Sequence, residues 1–192
     1  MALTPSTMLE LGSRAPDFAL ENTVDGRRVS LQDFDASPAL LVMFICNHCP
    51  YVQHIRSELG RLARDYAPAG LAVAAINSNS LETHPQDGPD AMREIAVAEG
   101  WGFPYLFDET QSVAKMYKAA CTPDFFLFDG DRGLVYRGQF DDSRPGNAIP
   151  VTGADLRAAI DAVLAGQPVS SEQKPSMGCN IKWTPGNEPD YA

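Results

Sequence analysis

An uninterrupted apolar run, Ala39-Leu40-Leu41-Val42-Met43-Phe44-Ile45, passes directly into Cys46-Asn47-His48-Cys49-Pro50. An alternating pattern would bury one face of a strand, whereas a continuous run needs both faces covered, which calls for a central strand with helices on either side. Val52, Ile55, Leu59, Leu62 and Tyr66 then recur at helical spacing, and Pro68 and Gly70 stop the helix ahead of a second apolar run, Leu71 to Ile76. Strand, helix, strand reads as a parallel βαβ unit. The chain is therefore of the α/β class, and the CxxC falls at its first strand-to-helix turn.

The flanking sequence extends this plan. Asp25-Gly26 marks a hairpin turn between the stretch Gly12 to Leu20 and the returning strand Val29-Ser30-Leu31. Asn77 to Gly88 is polar and reads as a loop, and Pro89 and Gly100 bracket a helix with Met92, Ile95 and Ala96 inward. Tyr105-Leu106-Phe107 fits a short strand, and Asp108 with Gln111 fits a capping box opening a helix through Tyr117. Pro123 to Phe128 and Leu134-Val135-Tyr136, joined by Asp129-Gly130-Asp131, predict an antiparallel pair, and Thr152 with Asp155 predicts the cap of a last helix bearing Leu156, Ile160, Val163 and Leu164. Beyond Gly166 the chain is rich in Pro, Ser, Asn and Gly. One domain over residues 1–166, with a tail over 167–192 packing back on it, is the expected organisation.

With 192 residues, 44% of them hydrophobic, the chain can bury a substantial core. Its longest apolar run falls far short of the roughly 20 residues that a spanning helix needs, and its first residues lack the basic start and apolar stretch of a signal peptide. A soluble cytoplasmic protein with no membrane partner is expected. The formal net charge of -10 opposes binding to phosphate backbones, and no Lys/Arg cluster offsets it, so nucleic acid is not an expected partner either.

Cys46, Cys49, Cys121 and Cys179 are too few for a disulfide scaffold in a chain of this length, which leaves catalytic or metal-binding thiols. Zinc ribbons need a second CxxC or paired histidines, and Cys121 and Cys179 stand singly. A dithiol/disulfide centre fits better, and neither a metal nor a cofactor is called for. Thiolate is the attacking species in disulfide exchange, and a helix N-terminus, signalled here by Pro50, favours it. His48 can stabilise a neighbouring thiolate and so make the couple more oxidising, or be a solvated loop residue.

Together the CxxC, the later Thr122-Pro123 and the antiparallel pair resemble the thioredoxin fold. The entry Gly12-Ser13-Arg14-Ala15-Pro16-Asp17-Phe18, the element Leu31-Gln32-Asp33-Phe34 and an extra strand and helix before Thr122-Pro123 resemble the alkyl hydroperoxide reductase/thiol-specific antioxidant superfamily. Within it, the stretches around Cys46–Cys49, Cys121–Asp129 and Gly178–Trp183 are similar to a bacterial peroxiredoxin-like subgroup.

The resemblance implies a three-layer sandwich with a mixed central sheet, an N-terminal hairpin and an inserted strand and helix. It implies Cys46 as exposed nucleophile, Cys49 as shielded resolving thiol, and a cis Thr122-Pro123 whose preceding backbone pairs with a client strand. The expected activity is thiol–disulfide exchange with a disulfide-containing protein or a low-molecular-weight thiol. Thiol peroxidase is the first alternative. Against it, Cys46 takes the Thr/Ser slot before the peroxidatic position at Cys49, Val42 takes that of Pro, and no Arg lies between Lys118 and Asp131. The second alternative is a soft-metal (copper) carrier using Cys46, Cys49 and a histidine, with His54 and His84 as further candidates. Asp124 is a candidate proton acceptor. Cys121 is either an auxiliary thiol or a small buried hydrophobe, and Cys179 either returns to Cys121 or the CxxC as a relay thiol or stays in an undocked tail.

Overall fold

The run Ala39–Phe44 forms the central strand β4 of a seven-stranded mixed sheet, and all six of its residues are buried. The computed structural model describes residues 3–191. Side chains alternate across a strand, so a continuous apolar run serves two cores at once. Leu41, Met43 and Ile45 enter one cluster with Ile55 and Leu59 of helix α1 (Pro50–Tyr66), Met92 of α2 (Pro89–Ala98) and Ile160 of α4 (Ala154–Leu164). Leu40, Val42 and Phe44 enter the other with Val113 and Ala114 of α3 (Ser112–Met116), and with Ile181 and Trp183 of the tail. These are the three layers of a thioredoxin-like sandwich.

β4 pairs in parallel with β5 (Leu71–Asn77), Ala39 opposite Leu71 and Phe44 opposite Ile76, and antiparallel with β8 (Asp124–Asp129). β5 pairs in parallel with β6 (Tyr105–Phe107). The N-terminal hairpin β2 (Ala19–Asn22) and β3 (Arg28–Ser30) extends that edge, and β9 (Leu134–Tyr136) completes the other. Among the described residues no helix is long and apolar enough to cross a membrane.

A second sheet is the main feature that local sequence patterns do not reveal. It has three antiparallel strands, with β10 (Met177–Asn180) between β1 (Leu3–Pro5) and β7 (Cys121–Thr122). The expected strand Pro123–Phe128 is present as β8 from Asp124, and the two residues before the proline, Cys121 and Thr122, pair instead with the tail.

Two predicted caps are replaced. Helix α3 starts after Gln111, whose left-handed backbone (φ 62°) precludes the capping box, and the Gln111 amide instead donates to the carbonyls of Ser78 and Lys182. Asp108 still serves the helix by accepting the Ala114 N–H. Helix α4 follows Gly153 (φ 69°), and the N–H groups of Thr152 and Gly153 go to the distant carboxylate of Asp141, while Asp155 accepts from Gln139. Lastly, Asn77 belongs to β5, and the loop after it closes with a turn of 3₁₀ helix, Pro85–Asp87.

Candidate active site

Between β4 and α1 the chain makes a short turn in which Cys49 is the extended residue before the helix (φ -68°, ψ 123°) and Pro50 its first residue. Proline fits there because a first-turn N–H has no intrahelical partner to lose. What shapes the turn is Asp87, which is wholly buried. Its Oδ1 accepts the backbone N–H groups of Asn47 (2.9 Å) and His48 (3.2 Å). Its Oδ2 meets His48 Nδ1 at 2.6 Å and accepts Asn79 Nδ2 at 2.8 Å. Asn47 is fixed further by the Tyr105 hydroxyl, which donates to its Oδ1. Asp87 escaped the reading of the sequence because it lies far along the chain in a polar loop, and its position between Pro85 and Pro89 signals only a turn.

The four cysteines and Thr122-Pro123 converge, but in roles other than those expected. Cys46 and Cys49 are both buried, at 1% and 0% exposure, so Cys46 is not the exposed thiol that the resemblance implied. The cover comes from β7 and β10. Cys46 Sγ lies 3.2 Å from Thr122 Oγ1, and Cys49 Sγ lies 3.2 Å from the Thr122 carbonyl oxygen and 2.9 Å from Cys179 Sγ. The Thr122-Pro123 bond is cis, as expected. The Thr122 backbone edge on which a client strand was expected is occupied by this chain's own β10, with Cys179 opposite Thr122.

Electrostatics distinguish the two sulfurs. Cys49 is held at about 5 by the Cys46 thiol, which donates to it, and then by the Cys179 thiol and the first-turn N–H of Val52, all acting against burial. Cys46 is raised well above the ordinary thiol range by that same shared proton, by burial and by the charge of Asp87. Cys179 is pushed up to about 12 by burial and by Cys49. Of the three sulfurs, Cys49 is the one whose ionisation these neighbours favour, while Cys46 and Cys179 are held toward the protonated form.

His48 pairs with Asp87 and stacks on His84, ring centroids 4.8 Å apart. Burial, and then the charges of His48 and Lys182, lower the pKa of His84. Cys121 faces the Pro123 carbonyl at 3.4 Å, and burial and the charge of Asp124 raise its pKa. Asp124, pushed up to about 7 by burial, accepts the Ala120 N–H at 3.2 Å and acts on Cys121 rather than on the CxxC pair. Cys46, His48 and Asp87 offer ligand atoms within 4.8 Å of one another. They suit a metal poorly, because both Asp87 oxygens already accept two hydrogen bonds each. His54 lies on α1 outside that group, in a crevice with Pro123 and Met177.

This chain is similar over nearly its whole length to two solved structures. An uncharacterized conserved protein from Geobacillus kaustophilus is 56% identical (TM-score 0.95, covering 97% of this chain and 98% of that one). A hypothetical protein from Sinorhizobium meliloti is 57% identical (TM-score 0.94, covering 95% and 100%). A thioredoxin-family thiol:disulfide interchange protein from Chlorobium tepidum shares the fold at 16% identity (TM-score 0.60, covering 80% and 97%). No curated protein sequence matches. Residues 11–137, which carry the hairpin, the CxxC turn, the inserted strand and helix and Thr122-Pro123, match the AhpC/TSA family: the chain belongs to that family and has a redox thiol function.

Proposed function

We propose that the protein is a thiol–disulfide oxidoreductase that cycles Cys46 and Cys49 between dithiol and disulfide by exchange with a disulfide-containing protein or a low-molecular-weight thiol. The observation that carries this reading is the meeting of both CxxC sulfurs with Thr122 of the cis Thr122-Pro123 bond, Cys46 Sγ 3.2 Å from Thr122 Oγ1 and Cys49 Sγ 3.2 Å from the Thr122 carbonyl oxygen, where the pKa of Cys49 is lowered and that of Cys46 raised. Exchange needs one nucleophilic sulfur and, beside it, a second that resolves the mixed disulfide.

In the reducing direction Cys49 Sγ attacks one sulfur of the client disulfide, forming a mixed disulfide and expelling the other client sulfur as thiolate, which takes a proton from solvent. Cys46 then attacks Cys49 Sγ, the bond to the client breaks, and the Cys46 proton leaves with the second client thiol. The client gains two electrons and two protons, and the protein retains the Cys46–Cys49 disulfide. The reverse sequence oxidises a client dithiol. Thr122 Oγ1, 3.2 Å from Cys46, stabilises that sulfur as its proton departs.

Insulin disulfide reduction and peroxide consumption, measured side by side on wild type, Cys46→Ser and Cys49→Ser, test the reading. Both variants should lose disulfide turnover, Cys49→Ser for want of the attacking sulfur and Cys46→Ser for want of the sulfur that closes the Cys46–Cys49 disulfide. Peroxide consumption that survives Cys46→Ser, without disulfide exchange in the wild type, would make the protein a peroxidase instead.

A further inference from the structure

β10 carries a third sulfur into the site. Cys49 Sγ and Cys179 Sγ are 2.9 Å apart, so that about 0.9 Å of closure reaches the length of a disulfide bond. The approach is built into the backbone. Cys179 stands opposite Thr122 on one side and Leu3 on the other, in the middle strand of the small sheet. The preceding Gly178 sits so close to Thr122 that a Cβ there would lie 2.1 Å from its carbonyl oxygen. The Ser176 hydroxyl donates to the Pro123 carbonyl at 2.6 Å, and Ile181 N–H to the Ala120 carbonyl at 3.0 Å, fastening the strand at both ends. Cys121, by contrast, stands opposite Asn180 and faces a carbonyl.

We infer that Cys179 is a third redox-active thiol, and that the Cys46–Cys49 disulfide exchanges within the chain with a Cys49–Cys179 disulfide. The inference rests on the Cys46/Cys49 cycle proposed above and adds a second intramolecular bond to it. With Cys46–Cys49 oxidised, Cys179 Sγ attacks Cys49 Sγ, the S46–S49 bond breaks, and its electron pair stays on Cys46. The proton of Cys179 passes to Cys46, where burial and Asp87 favour the protonated form. The step is redox-neutral and consumes nothing beyond the oxidant that closed the first disulfide. Oxidation also removes the Cys49 charge that helps keep Cys179 protonated, so Cys179 becomes a better nucleophile when it is needed.

Oxidised glutathione, titrated into wild type, Cys46→Ser and Cys179→Ser and followed by non-reducing peptide mapping after alkylation, decides the matter. Cys46→Ser should yield a Cys49–Cys179 linkage with both thiols lost to alkylation. Wild type should show that linkage beside Cys46–Cys49, and Cys179→Ser only Cys46–Cys49. Glutathione retained on Cys49 of Cys46→Ser, with Cys179 fully alkylated and no Cys179 linkage in wild type, would overturn the inference and leave the Cys46/Cys49 cycle standing. Failure of Cys179→Ser to form Cys46–Cys49, with Cys49–Cys179 still formed in Cys46→Ser, would count against the cycle and for the third thiol. The wild-type map gives an answer even if a variant fails to fold.

Discussion

Four donors converge on the two oxygens of Asp87, two of them backbone N–H groups of the CxxC turn. Asparagine at that position has one acceptor oxygen and would turn two N–H donors on a neighbour that is itself donating. Leaving buried donors unmet costs roughly 1–3 kcal/mol each, so Asp87→Asn should unfold at lower denaturant concentration. The charge lost also has a chemical readout. Because Asp87 raises Cys46, the pH midpoint for alkylation of Cys46 should move down in Cys49→Ser/Asp87→Asn relative to Cys49→Ser alone. Asp124 gives a residue-scale effect of the opposite kind. Burial lifts its carboxyl from 3.8 to about 7, so between those values the folded state binds a proton that the unfolded state has lost. Its contribution to stability therefore falls as pH rises from about 4 to about 7. Thermal melts across that range should show a decline in wild type that Asp124→Asn flattens, whatever constant offset the substitution adds.

At the scale of the element, the tail strand decides what reaches the sulfurs. Gly178 is required by close approach, since any side chain there meets the Thr122 carbonyl. Gly178→Val should lift β10 away from β7. The expected outcome is faster alkylation of Cys49, on the order of tenfold or more, matching a local opening made easier by at least about 1.4 kcal/mol, with faster amide exchange confined to β1, β7 and β10. Unchanged Cys49 reactivity in a folded Gly178→Val protein would mean that β10 does not cover the site. The caps of α3 and α4 illustrate the same dependence on distant chain. Asp108 with Gln111, and Thr152 with Asp155, have the spacing of capping boxes, yet Gln111 turns to Ser78 and Lys182, and Asp141 serves the start of α4. Local patterns locate a helix start well, but the identity of the acceptor is settled by which side chains tertiary packing brings within reach.

Across the whole molecule, the sheet is a wall between two cores, and the tail belongs to one of them. Ile181 and Trp183 are buried at 1% and 9% exposure in the cluster around Phe44, Phe126 and Tyr117. Side chains of this size contribute roughly 1.5–3 kcal/mol each on full burial. Removing residues 167–192 should therefore lower the unfolding temperature and expose apolar surface to a hydrophobic dye, and an unchanged melting temperature would sink that reading. Asn79 ties this tail to the site as well, accepting the Lys182 N–H while donating to Asp87.

The sequence by itself determined the central strand, the helix that follows the CxxC, the parallel βαβ unit and the antiparallel pair after Pro123. These are set by continuous apolar runs, 3.6-residue periodicity and turn residues, all of which act over short stretches of chain. The CxxC at the first strand-to-helix turn was also legible, as was the family to which the chain belongs. Tertiary structure alone decided what surrounds each sulfur. Cys49 meets Cys179 across 130 positions, and Asp87 reaches the CxxC turn across 40. Thiol ionisation follows from burial and from donors and charges within a few ångströms, and those neighbours come from β7, β10 and a distant 3₁₀ turn rather than from the residues that flank the cysteines.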